Sequence, residues 1–197
     1  MPKTLRTDWD AIVALVPERA GVLDLGCGDG ELLARLVSEK RVSARGVEIN
    51  EDNVRACIAR GLSVRHGNIE DGLADYSDHA FDVVILSQTL AFLNQPGPVV
   101  REMLRVGREA VVSFDNAGYW RTRAHALLGD GFGPELDSGQ PRARAVTLPQ
   151  FRRFAASLGA HVERAVLLSG SRRIARCPSW RAATAVFVLS RRRTKGG

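Results

Sequence analysis

The chain has 197 residues, 45% hydrophobic and 25% charged, which suits one globular domain with a substantial core rather than two large ones. No run approaches the roughly 18 consecutive apolar residues of a membrane span, and Met1-Pro2-Lys3-Thr4 leads into polar residues rather than a secretory apolar stretch. Cys27, Cys57 and Cys177 are widely separated, odd in number and without metal-ligand spacing, so neither a disulfide framework nor a zinc site is suggested, and the expectation is a cytoplasmic protein whose cysteines are small buried residues.

The predicted elements begin with Thr7, placed to cap a helix that carries Ile12, Val13 and Val16 on one side and ends near Pro17. Val22 to Leu25 reads as a buried strand, and after a glycine-rich turn Glu31 to Glu39 carries Leu32, Leu33, Leu36 and Val37 at helical spacing. Arg45 to Ile49 predicts a second strand; Asn50 is a good N-cap for a helix from Glu51 to Arg60, and Gly61 can end it in a left-handed conformation. Leu62 to Arg65 is a short third strand. Phe81 to Leu86 is almost continuously apolar, as the middle strand of a sheet covered on both faces should be. A helix from Pro98 to Val106 and a fifth strand from Ala110 to Phe114 follow.

From Asp115 to Val146 the chain is rich in Gly, Pro and Arg without periodicity, which predicts an excursion over the sheet edge with a helix near Trp120 to Leu128. Thr147-Leu148-Pro149-Gln150 has capping-box form and opens a helix to Leu158, closed by Gly159. Val162 to Leu168 and Ala183 to Leu189 predict two more strands, for seven in all. Residues 1–190 thus read as one domain and 191–197 as a basic tail without expected order. The net charge of +6 is unevenly spread: from Arg142 on, 13 Lys and Arg face one acid, Glu163, whereas the preceding residues carry 15 bases and 21 acids. A solvated basic face is the simpler reading, and any nucleic-acid contact is expected to be non-specific.

The turn after the first strand, Asp24-Leu25-Gly26-Cys27-Gly28-Asp29-Gly30, joins an acid at a strand end to alternating glycines and a helix N-terminus. The glycines let backbone approach a ligand closely. A dinucleotide fingerprint, G-x-G-x-x-G, fails on spacing: counted from Gly26 its third glycine falls on Glu31, and from Gly28 on Leu33. An acidic edge suits a ligand bearing a sulfonium and an ammonium better than a pyrophosphate. Glu48, about twenty residues beyond the glycines at the end of the second strand, is placed to accept both ribose hydroxyls. Gln88 follows the C-terminal end of the central strand, where ligands of open α/β sheets bind. Asp24, Gly26, Cys27, Gly28, Gly30, Glu48, Ile49, Ser87 and Gln88 therefore form the candidate cofactor set.

The motif Asp24 to Gly30 with Glu48 resembles class I S-adenosylmethionine-dependent methyltransferases. The resemblance implies an α/β, single-domain Rossmann-like fold: a mostly parallel seven-stranded sheet with helices on both faces, and S-adenosylmethionine or S-adenosylhomocysteine as ligand. It further implies that Gly67-Asn68-Ile69-Glu70 reads the adenine edge, with Asn68 where that family usually has aspartate; this adds Asn68 and Ile69 to the candidate set. A closer resemblance, over most of the chain, is to the methionine biosynthesis protein MetW family. It is carried by Asp8-Trp9-Asp10, by Val22 to Leu33, by Ile85-Leu86-Ser87-Gln88-Thr89-Leu90 and by Arg101-Glu102-Met103-Leu104-Arg105-Val106-Gly107. It implies a partner, a homoserine O-acyltransferase of the MetX type. The chain departs from that family at Asp115-Asn116-Ala117-Gly118-Tyr119-Trp120, where Pro-Asn-x-Gly-x-Trp is common, and at Arg142-Ala143-Arg144, where Asn-Ile-His is typical.

No catalytic residue is assigned by the sequence. Methyl transfer from a sulfonium needs little beyond a nucleophile held in line. The acceptor motifs of amino-methylating and cytosine-methylating enzymes are absent, as are the paired glutamates of arginine methylation. Of His66, His79, His125 and His161, His125 lies in the excursion and is the first to consider as a base. Three function classes follow: an S-adenosylmethionine-binding accessory subunit of methionine biosynthesis, a small-molecule methyltransferase, and a nucleic-acid-binding protein using the basic C-terminal part.

Overall fold

The computed structural model describes residues 6–128 and 143–191. The N-terminal tetrapeptide, Arg142 with the middle of the excursion, and residues 192–197 of the expected tail lie outside the described residues.

Strand, turn and helix alternate through the first half: α1 (Thr7–Leu15), β1 (Gly21–Leu25), α2 (Glu31–Lys40), β2 (Ser43–Glu48), α3 (Glu51–Ala59), β3 (Ser63–His66), β4 (Phe81–Ser87), α4 (Pro96–Val106) and β5 (Gly107–Asp115). β1 pairs in parallel with β2 and β4, β2 with β3, and β4 with β5. Then come α5 (Trp120–Leu127), α6 (Leu148–Ser157), β6 (Ala160–Ser169), the two-residue β7 (Arg172–Arg173), the one-turn α7 (Pro178–Arg181) and β8 (Thr184–Arg191). The sheet order is β3-β2-β1-β4-β5-β8-β6-β7, with β8 antiparallel to both β5 and β6. Seven strands are those expected; β7 adds an eighth at the edge, too short and too basic to carry a periodic signal.

Successive side chains of a strand face opposite sides of the sheet, and that alternation builds two cores. On one side Leu23, Leu25, Val84, Leu86, Val112 and Phe114 pack under α4 and α6, where Phe114, Phe151 and Phe187 lie within 6 Å of one another. On the other side Val22, Val83, Ile85 and Val111 pack under α1 and α2 with Ile12, Leu33 and Leu36.

The capping signals act as the sequence suggests at two helices. Asn50 accepts the Asn53 N–H at 3.1 Å, and Thr147 and Gln150 form a reciprocal capping box before α6. At α1 the cap is one residue earlier than expected: Arg6 occupies the N-cap position and Thr7 is already helical. Two further expectations are corrected. Cys177 is exposed, because it precedes the exposed one-turn helix α7 instead of entering the core. Arg191, placed in the tail by sequence, is the final residue of β8, where it pairs with Ala160.

Candidate cofactor site

The parity that places Val22, Ile85 and Val111 beneath α1 and α2 directs Asp24, Ser87 and Ser113 to the same side, at the C-terminal ends of β1, β4 and β5. Glu48 ends the neighbouring strand β2. Four polar residues thus converge on one edge of the sheet, where strand ends and helix starts leave a crevice.

The turn between β1 and α2 is held by backbone and by Glu48. Gly26 and Cys27 donate to the Val47 carbonyl at 2.8 and 3.2 Å, and Gly28 donates to Glu48 Oε2 at 2.8 Å. The other carboxylate oxygen of Glu48 accepts from Asn50 at 2.9 Å, so one side chain ties the glycine turn to the start of α3. Gly26, Gly28 and Gly30 have φ of +72°, +56° and +79°, in the left-handed region that favours glycine. At Gly30 a Cβ would lie 2.5 Å from Leu62 Cδ1 and 2.8 Å from Cys57 Sγ, so α3 and its exit pack directly on the turn; at Gly28 a Cβ would meet nothing within 4 Å. The turn is braced from below and open above Gly28.

Beneath the turn, Cys27 and Cys57 are buried with their sulfurs 3.9 Å apart, and the Cys57 thiol donates to the Gly28 carbonyl at 3.2 Å. Burial pushes both thiols up, that of Cys27 well above the usual range. Cys27 therefore packs inward and offers the cleft only its backbone. From outside, Arg60 donates to the Asp29 carbonyl and carboxylate, both at 2.9 Å.

Asp24 is buried, and its Oδ1 accepts no hydrogen bond. Burial pushes its carboxyl up to about 7; the nearby Arg6 guanidinium draws it down, and the charges of Glu48 and Asp8 add to the rise. Asp8, buried on the first turn of α1, accepts the hydroxyls of Ser113 at 2.7 Å and Ser87 at 3.0 Å. Arg6 donates to Ser87 Oγ at 2.9 Å, lies 3.4 Å from Asp8 Oδ1 and covers the Trp9 ring at 5.1 Å. Arg6, Asp8 and Ser113 were not expected site residues; the Asp8-Trp9-Asp10 segment was visible as a motif, but its chemistry depends on strands 79 to 105 residues away.

The remaining candidates divide. Ile49 is 63% exposed beside Glu48, and its carbonyl lies 2.9 Å from His66 Nε2. Asn68 turns its side-chain oxygen onto the Glu70 N–H at 3.0 Å, and Ile69 buries its side chain in the core, so this segment offers the crevice mainly backbone. Gln88 has φ of +57° and points its amide toward Asp115 at 3.4 Å, away from the glycine turn. Its backbone N–H is held by Ser113, and the adjacent Thr89 closes on Gly26, where a Cβ would stand 2.9 Å from Thr89 Oγ1. The four histidines are exposed and dispersed. A separate apolar cavity of about 180 Å³ lies between Leu90, Pro96, Val146, Phe151 and Phe154, with Arg144 and Gln150 at its margin.

A buried carboxylate oxygen that accepts no hydrogen bond, a glycine turn open above Gly28, a carboxylate at the end of β2 and an exposed apolar residue beside it thus stand at one edge of the sheet. The family model for the methionine biosynthesis protein MetW matches residues 6–189.

The chain belongs to the MetW family.

Among curated proteins, this MetW-family chain is 38% identical over 130 residues to the bifunctional methionine biosynthesis protein MetXA/MetW of Rhodopirellula baltica, a match covering 62% of this chain and 21% of that protein. It is 31% identical over 110 residues to 27-O-demethylrifamycin SV methyltransferase of Amycolatopsis mediterranei, covering 50% of this chain and 39% of that one. The chain thus spans well under half the length of either relative. Its fold is that of the Rossmann-like S-adenosylmethionine-dependent methyltransferases, as comparison with solved structures shows. One such enzyme from Archaeoglobus fulgidus superposes with a TM-score of 0.72 at 14% identity, covering 94% of this chain and 92% of that one. Another from Thermotoga maritima superposes with a TM-score of 0.70 at 18% identity, covering 94% and 88%. Among the described residues no helix is long and apolar enough to cross a membrane.

Proposed function

We propose that this chain binds S-adenosylmethionine or S-adenosylhomocysteine at the glycine turn and serves, in the cytoplasm, as a regulatory partner of a MetX-type homoserine O-acyltransferase. The observation that carries the partnership is the Rhodopirellula relative, whose name joins MetXA and MetW. Glu48 would accept the ribose hydroxyls, Asp24 would face the cationic end, and backbone near Gly28 and Asn68 would hold the remainder, with Ile49 against the base. When bound, the cofactor supplies a methyl group on a sulfonium. This chain's own residues would bind and orient it.

A ligand that reports the pathway's methionine supply can change acyltransferase activity only if its binding differs between the free and the complexed chain. The contact surface proposed is α5 and the arginine-bearing C-terminal elements. The side chains of α5 are all at least partly exposed, and Trp120 and Trp180 are 46% and 60% exposed. To test the reading, the two purified proteins are mixed at tens of micromolar, and co-elution and acyl transfer to homoserine are measured with and without S-adenosylmethionine. Co-elution with a ligand-dependent rate is expected. No co-elution and an unchanged rate overturn the accessory role.

A second reading, methyl transfer to a small molecule, is favoured by the apolar cavity beginning three residues beyond β4 at Leu90. Transfer of labelled methyl into a small-molecule extract would support it. No label transfer, alongside cofactor binding, would remove it.

A further inference from the structure

We propose that the apolar cavity beside α6 is a second ligand site, and that it takes a monocarboxylate whose apolar part is about the size of one aromatic ring. The cavity holds about 180 Å³ between Leu90, Pro96, Ala145, Val146, Phe151 and Phe154. A dry cavity of about 150 Å³ walled by Leu, Ile and Phe takes benzene, so this one has room for a phenyl ring or a branched chain of similar bulk. Binding here deepens the small-molecule reading above by fixing the ligand's chemistry, and it does not require that the ligand accept a methyl group.

The walls are set by packing that needs no ligand. Leu90 and Phe151 are buried, and Phe151 has Phe114 and Phe187 as ring neighbours, with centroids 4.8 and 4.7 Å away. The rim is tied across the chain: the Arg144 N–H donates to the Ala91 carbonyl at 2.8 Å, and its Nη2 donates to the Asn94 carbonyl at 2.7 Å. Asn94 and Gln95, just before Pro96, are held in turn by Glu70, whose carboxylate accepts the Asn94 amide at 3.0 Å and the Gln95 N–H at 2.6 Å. A ligand entering a cavity with fixed walls gains apolar burial at little ordering cost.

Charge at the rim favours an anion. The stretch from Arg144 to Phe154, which supplies most of the lining, carries Arg144, Arg152 and Arg153 and no acid. α4 begins at Pro96 and α6 at Leu148, so the positive ends of both helices add to the same field. Among the described residues the Arg144 guanidinium forms no salt bridge, and Nη2 alone is engaged, which leaves Nε and Nη1 for a ligand. Glu70, the acid on which the Arg144 charge acts, is already bonded to Asn94 and Gln95. The Gln150 side-chain oxygen is committed to Thr147, so its amide brings a donor to the margin. A guanidinium with free donors suits a carboxylate, whereas an ammonium would meet like charge.

The test is NMR titration of the full chain with phenylacetate, with its neutral isostere phenylacetamide, and with phenethylamine, which carries a cation instead of the carboxylate. Phenylacetate is expected to bind with a Kd of about 0.1–1 mM, about tenfold more tightly than phenethylamine, with phenylacetamide between them. Ala145→Phe, at an exposed position of the wall, fills the cavity and should weaken phenylacetate at least about tenfold. Arg144→Gln should bring phenylacetate down to the affinity of phenylacetamide. An amine that binds the wild type as well as the carboxylate would overturn the proposal, a comparison that needs no variant to fold. So would unchanged affinity in Ala145→Phe, or no binding by any of the three. Phenylacetate binding without transfer of labelled methyl supports the site while removing the methyl-transfer reading, so the two fail separately.

Discussion

Asp24→Asn tests whether this edge of the sheet trades stability for binding. Burial raises the Asp24 carboxyl from an unfolded value near 3.8 to about 7, against the pull of Arg6 and with the push of Glu48 and Asp8. Between these values the folded chain holds a proton that the unfolded chain has released, so stability falls as pH rises from about 4 to about 7 and levels off above. At about 1.4 kcal/mol per unit, the interval from pH 5 to pH 8 contains about 3 kcal/mol of this loss. Asparagine does not titrate, so the pH-independent cost of burying its amide cancels when each protein is compared with itself. Urea denaturation of both proteins at pH 5 and pH 8 should show the wild type losing about 3 kcal/mol more than the variant. For a chain of this size that corresponds to roughly 6–12 °C in melting temperature. The variant should also bind S-adenosylhomocysteine at least tenfold more weakly. Identical pH dependence in the two proteins would show that Asp24 is ionised in the folded chain at both pH values and refute the reasoning.

Three further outcomes are expected. Glu48→Gln replaces an acceptor of the Gly28 and Asn50 N–H groups with an amide that can accept at only one oxygen; cofactor affinity should fall tenfold to a hundredfold by titration calorimetry. Gly30→Ala drives a methyl group into Leu62 and Cys57 at positive φ and should cost about 2–4 kcal/mol in urea denaturation, whereas Gly28→Ala, with open space above it, should cost about 1–2 kcal/mol and act mainly on ligand binding. Because the basic surface is made of exposed arginines, duplex DNA should bind weakly and be released as salt rises toward physiological strength, as fluorescence anisotropy would register; sequence-specific binding there would contradict this.

Much of the frame was legible because its signals are local. The turn from β1 to α2, the Asn50 cap, the Thr147 capping box and the left-handed Gly61 and Gly159 each depend on residues within a few positions. Asp24 and Glu48 could be placed because a strand end fixes where its last side chains emerge. The Arg6, Asp8, Ser87 and Ser113 network was not legible, since it exists only once α1 has packed across β4 and β5. Nothing around Ser113 marks its hydroxyl as facing Asp8 rather than solvent. Cys27 looked like part of the cleft because it lies between two glycines, yet the close approach of Gly46, where a Cβ would be 2.6 Å from its sulfur, shows how tightly it is seated inward. Sequence also could not order the last strands, because both neighbours of β8 precede it in the chain.

That order bears on how the chain is made. β8 lies between β5 and β6, and among the described strands it is the last to leave the ribosome. Until it arrives, β5 has an unpaired apolar edge and β6 has only the two-residue β7 beside it. The parallel half, with its glycine turn, can assemble early, but its growing sheet presents backbone donors and acceptors to any other strand nearby. The antiparallel β8 closes that edge in one step, pairing with β5 and β6 at once and withdrawing both strand edges from other chains.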